Sequence, residues 1–187
     1  MAQAKTPEEP ARQQPLTQWI EAVRAYTPAE WERLPDIELY MDQVLTLMDK
    51  QLSLMSEDGN RLLTSSMINN YVKGGVVPRP NQKKYGREHL AQLYMVCMLK
   101  SVLPLPQIDE MLKGLTAAFP EEELYPAFSQ AQVASLQETV ERIEKTADTD
   151  AERYQLAMEL ALEANARRIA AVRILGSLKP EEPEKKK

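Results

Sequence analysis

One cysteine and one histidine among 187 residues leave no material for a disulfide framework or a Cys/His-rich metal site. Six glycines and few β-branched runs argue against a sandwich, a barrel or a Rossmann sheet. No apolar run nears the roughly 20 residues of a membrane span, and MAQAKTPEEP lacks the features of a signal peptide. There is no Gly-rich phosphate loop, and no carboxylate cluster beside an apolar pocket. The residues therefore point away from an enzyme, a metal or a cofactor. With 43% apolar residues the chain can still bury a core. A mainly all-α, cytoplasmic protein is expected.

Acid is absent from one stretch in particular. Arg61 to Arg87, RLLTSSMINNYVKGGVVPRPNQKKYGR, holds Arg61, Lys73, Arg79, Lys83, Lys84 and Arg87 and no Asp or Glu. The whole chain carries 23 Lys+Arg against 28 Asp+Glu, net −5; without this stretch the balance is 17 against 28, or −11. A basic island in an acidic chain is a local device, because the net charge would repel phosphate.

Around the island the chain divides into four parts. Residues 1–15, with three prolines among polar side chains, read as a disordered arm. Residues 16–118 read as a helical extension followed by the main domain. Thr27-Pro28 offers a helix start, and from Asp36 to Met55 the residues Ile37, Tyr40, Met41, Val44, Met48, Leu52 and Met55 recur at helical spacing as one buried face. His89 and the residues to Leu103 give an apolar helix in which Cys97 is a core thiol and His89 a surface or capping residue. Pro106 opens a helix burying Ile108, Met111, Leu112 and Leu115. Residues 119–178 form a C-terminal helical region for dimerisation or effector response: an acidic connector from Phe119 to Pro126, a helix from Gln130 to Thr146, and a last helix capped by Thr149-Asp150-Ala151-Glu152. Met158, Leu162, Asn165, Ile169 and Val172 fall in alternating four- and three-residue steps, a seam with one Asn that suits a dimer or an intrachain helix pair. Residues 179–187 read as a disordered tail.

Inside the island, Thr64 is a good N-cap. Ile68, Tyr71 and Val72 make an inward face, and Ser66, Asn69, Asn70 and Lys73 an outward stripe. Asn pairs bidentately with adenine, and Lys reaches guanine or phosphate. Adjacent asparagines are poor helix formers, so stability did not select them. Gly74-Gly75 ends the helix. Val76-Val77, Pro78, Pro80 and the turn at Asn81-Gln82 suggest a two-stranded β-wing returning through Lys83-Lys84-Tyr85.

The run from Leu63 to Pro78 resembles the second helix and exit turn of MerR-type winged helix-turn-helix regulators, with Lys84-Tyr85 before a third helix and Leu105-Pro106-Gln107-Ile108 at a fourth. The phrases LPDIELYMDQV, MINNYVKGG and KKYGREHLAQL also resemble a bacterial family of uncharacterised proteins with this fold. The resemblance covers Leu34 to Leu115. It implies a transcription regulator that binds double-stranded DNA as a homodimer. Thr64, Ser65, Ser66, Asn69, Asn70, Tyr71 and Lys73 would lie on the reading helix, and Arg79, Lys83, Lys84, Tyr85 and Arg87 in or behind the wing. Asn69 and Asn70 stand where MerR-type proteins carry Arg and Tyr, so a different base preference is expected. A small-molecule or protein effector is left open, since no metal-binding cysteines or aromatic pocket mark one. The alternative is a winged-helix module that binds protein and not DNA.

Overall fold

A computed structural model describes residues 16–56, 61–146 and 149–178. It is mainly helical: α1 (Leu16–Ala25), α2 (Met41–Gln51), α3 (Ser65–Lys73), α4 (Arg87–Leu99), α5 (Leu105–Ala118), α6 (Glu121–Thr146) and α7 (Asp150–Ser177). Short 3-10 turns occupy Trp31–Arg33 and Ser53–Met55. Among the described residues no helix is long and apolar enough to cross a membrane. The arm 1–15 and the tail 179–187 lie outside the described residues.

Helix α4 is the axis of the fold. Eight consecutive residues, Leu90 to Cys97, are buried, so α4 has no solvent face and must be enclosed by neighbours. Helices α2 and α6 pack on it directly, α1 lies on α6, and α5 and α7 pack on α6 and on each other. The core contains Val44, Met48 and Leu52 from α2, Ile68 and Tyr71 from α3, Ile108 and Leu112 from α5, and Leu124 and Tyr125 from α6. Cys97 sits in it as an inert thiol, pushed up to about 11 by desolvation.

Burying α4 takes its polar groups inside as well, and these are satisfied by specific partners. The Tyr94 hydroxyl donates to Gln132 Oε1 at 2.6 Å, so the Tyr26 hydroxyl, 2.7 Å away, donates to Tyr94. The Gln132 amide in turn reaches the Met98 sulfur at 2.6 Å. This chain of donors ties the segment after α1 and helix α6 to α4. Gln92, also buried, donates to Glu121, whose second oxygen is buried with no hydrogen-bond partner among the described residues. Burial pushes the Glu121 carboxyl above the usual glutamate range, against the opposing bond from Gln92.

Three boundaries differ from those expected. Helix α2 begins at Met41 rather than Asp36, because Leu39 gives both its N–H and its C=O to Tyr85 at 2.9 Å and the Gln43 side chain accepts the Tyr40 N–H at 2.9 Å. Ile37 and Tyr40 are consequently exposed rather than on the buried stripe. Thr27-Pro28 starts no helix, and the chain stays irregular to Glu30. The acidic connector is instead the first two turns of α6, which continues through Pro126. Glu121, Glu122 and Glu123 complement the positive end of the helix dipole, and Leu124 and Tyr125 anchor it in the core.

At α7 the Thr149 hydroxyl accepts the Glu152 N–H at 3.3 Å while Glu152 accepts the Thr149 N–H at 2.8 Å, the capping box expected from the sequence. Arg142 of α6 clamps α7 through Glu159 at 2.8 Å and Glu163 at 2.6 Å. Of the expected seam, Met158, Leu162, Asn165 and Ile169 face solvent, but Val172 packs against the core.

Replacing Tyr94 by Phe leaves the Tyr26 hydroxyl and Gln132 without their buried partner, and should cost about 1–3 kcal/mol in urea denaturation. Glu121 adds a pH prediction. A folded-state value above the unfolded one favours the protonated form on folding. Its contribution to stability is therefore fullest at low pH, and is lost as pH rises from about 4.3, the unfolded value, through the raised folded one. Stability curves of wild type and Glu121→Gln should diverge in that window, and parallel curves would refute the assignment.

Candidate nucleic-acid interface

Helix α3 is short, and each end is fixed by its own sequence. The Thr64 hydroxyl accepts the Met67 N–H at 3.3 Å. At the other end the Val76 N–H reaches back to Tyr71 C=O at 2.9 Å and the Gly75 N–H to Val72 C=O at 3.2 Å, a Schellman closure that needs a left-handed residue. Gly75 provides it with φ 76°. Between these stops Ile68 is fully buried and Tyr71 nearly so, while Ser65, Ser66, Asn69, Asn70 and Lys73 are exposed. The outward stripe is as expected, with Thr64 at its head.

The segment beyond α3 departs from the expected wing. Val76 and Val77 are buried in the core, and among the described residues no strand forms, only the isolated bridges Asn81–Lys84 and Leu39–Tyr85. Pro78 and Pro80 have no N–H to give to a ladder, and Tyr85 spends its own backbone groups on Leu39. What remains is a tight turn. Lys84 N–H bonds Asn81 C=O at 2.8 Å, and Gln82 and Lys83 have φ of 47° and 66°. Two successive left-handed residues mark the two-residue hairpin turn whose twist suits antiparallel arms. Neither residue is glycine, so the turn holds local strain at its cationic tip.

The six cations of the island have separate roles. Lys73, Arg79 and Lys83 are exposed and have no ion-pair partner among the described residues. Lys84 lies over the Tyr40 ring, 5.5 Å from its centroid. Arg61 pairs with Asp49 at 3.0 Å. Arg87 is directed inward: its Nε donates to Leu34 C=O at 3.2 Å and its guanidinium lies over Trp31. Tyr71 and Tyr85 are likewise withdrawn from the outward face. Burial pushes the Tyr71 hydroxyl up to about 12 and that of Tyr85 upward. These three side chains serve the fold, which corrects their expected placement at a DNA surface. His89 behaves as a capping residue. Its Nδ1 accepts the Gly86 N–H at 3.1 Å, and its Nε2 lies 3.4 Å from Arg79 C=O, tying α4 to the base of the turn.

Sequence reasoning missed Tyr40 and Ile37. Both are exposed, and Tyr40 stands directly beside the basic turn. Their helical spacing from Met41 and Val44 hid them in the core stripe.

A mainly helical domain thus presents a short polar helix, closed by a glycine cap, together with a tight basic turn. The chain belongs to the family of the domain of unknown function DUF1836, whose model matches residues 29–150 and so takes in α2 to α6. No curated protein and no solved structure matches it.

Replacing Lys83 by Gly removes the left-handed strain at the turn tip. Thermal denaturation should show stability unchanged or raised by up to about 1 kcal/mol. A clear loss would mean that the turn does not adopt this conformation.

Proposed function

We propose that the protein is a DNA-binding transcription regulator of winged helix-turn-helix type, similar to MerR regulators, with α3 in the major groove and the Asn81–Lys84 turn on the backbone. The exposed stripe Ser66, Asn69, Asn70 and Lys73 carries this reading. It is a row of hydrogen-bonding side chains on a helix whose opposite side is buried, which is the layout of a helix that reads base edges. Lys73, Arg79, Lys83 and Lys84 would supply phosphate contacts, which position the helix without specifying sequence. Tyr40 supports Lys84 from below. The reading gives the chain no catalytic role and no cofactor, and it assigns a homodimer held by the C-terminal helices.

Neutralising about four phosphates per protomer gives a log–log salt slope of roughly −4 per protomer. Lys83→Glu/Lys84→Glu should weaken binding and flatten that slope by about two, measured by fluorescence anisotropy on a labelled duplex. An unchanged slope would remove the turn from the interface. Asn69→Ala/Asn70→Ala should leave the slope as it is and narrow the gap between preferred and random duplexes. The second reading, a protein-binding module without DNA, draws on the net −11 outside the island and on the exposed apolar stripe of α7. It predicts no binding of random duplex even at low salt.

A further inference from the structure

Helix α7 is 28 residues long, and its largest side chains point away from the protein. Tyr154 is 80% exposed, Met158 57%, Leu162 62% and Ile169 46%. With Asn165 these residues lie on one stripe of the helix, while Leu156 and Leu175 turn inward to the bundle. A continuous apolar stripe of this length on a surface helix marks an interaction face, and four- and three-residue steps are those of a helix pair.

The charges on α7 identify what covers the stripe. From Asp150 to Glu163 the helix carries Asp150, Glu152, Glu159 and Glu163 against Arg153 alone, net −3. From Ala164 to Ser177 it carries Arg167, Arg168 and Arg173 and no acid, net +3. Two copies side by side in the same direction would set like charge on like. Two copies running oppositely set each acidic half against the other's basic half. We infer that α7 pairs with α7 of a second copy of this chain, antiparallel about a two-fold axis midway between Glu163 and Ala164. This rests on the homodimer reading above and gives it an orientation.

The register follows from the axis. Met158 lies opposite Ile169 of the second copy, and Leu162 opposite Asn165, so each apolar residue meets a seam residue. On both flanks of the seam the acidic half of one copy lies alongside the basic half of the other. Such an interface is isologous, with the same patch on both copies.

Cysteine cross-linking without DNA tests the orientation. The single native thiol, Cys97, is buried and stays silent. Chains carrying Met158→Cys are mixed with chains carrying Ile169→Cys and oxidised. The mixture is expected to yield a disulfide-linked dimer, and each variant alone is not, since residue 158 lies about 16 Å along the helix from its own copy. Linking of Met158→Cys to itself would overturn the antiparallel pairing. Light scattering at high concentration gives the second readout. Wild type should be a dimer, and Leu162→Glu should weaken association at least about a hundredfold with helical content intact. A monomeric wild type would end the proposal. Because no step uses DNA, a dimer that ignores DNA overturns the functional reading alone, and a monomer that binds DNA overturns the dimer alone.

Discussion

The full burial of α4 is the constraint on which the remaining structure depends. A helix apolar on one side needs one partner layer, but eight consecutive buried residues need enclosure all round. That requirement packs α2 and α6 onto α4 and sets α3 at the margin, where Ile68 and Tyr71 reach the core, Met67 and Val72 pack against its edge, and Ser65, Ser66, Asn69, Asn70 and Lys73 are left outside. The Tyr26–Tyr94–Gln132 hydrogen bonds are the polar counterpart of the same burial. They make the enclosure specific, because a shifted α6 would strand a buried hydroxyl.

From that frame the candidate interface follows with few further choices. Helix α3 is held by two core residues, a threonine cap and a glycine cap, so its solvent side is free of structural duty. Asn69 and Asn70 occupy positions where alanine or lysine would favour the helix more. The turn that follows is anchored at Tyr85 by Leu39 and at its base by His89, while its tip holds two left-handed residues that no core contact demands. Rigid support with a strained cationic tip suits a surface that has to meet a ligand in one orientation.

Much of this could be read in the residues. The outward stripe of α3, the Thr64 and Thr149 caps, the core thiol Cys97 and the capping role of His89 each follow from local chemistry or from a short period, and such signals survive folding. The failures share a different cause. Ile37 and Tyr40 continue the helical period of α2, yet backbone pairing of Leu39 with Tyr85, 46 positions away, takes them out of the helix. Phe119 to Pro126 has the composition of a linker, but Leu124 and Tyr125 find core partners that its acidic neighbours conceal. Arg87 counts as a cation in the sequence, and only the fold shows it spent on Leu34 and Trp31. Beyond α3 no strand forms among the described residues, since Tyr85 spends its backbone groups on Leu39 rather than on the arm that leaves the helix. In each case a long-range contact outweighed a correct local preference.

The proposed contact of duplex DNA with the face formed by α3 and the Asn81–Lys84 turn is open to one decisive measurement. Amide chemical-shift mapping with a mixed-sequence duplex at low ionic strength tests it most directly, because it locates even a weak contact and does not require the target sequence. Perturbations are expected at Ser66, Asn69, Asn70, Lys73 and Lys83, with Leu156 and the α6 face of α7 unchanged. No perturbation at low salt, or perturbations confined to α7, would contradict that contact.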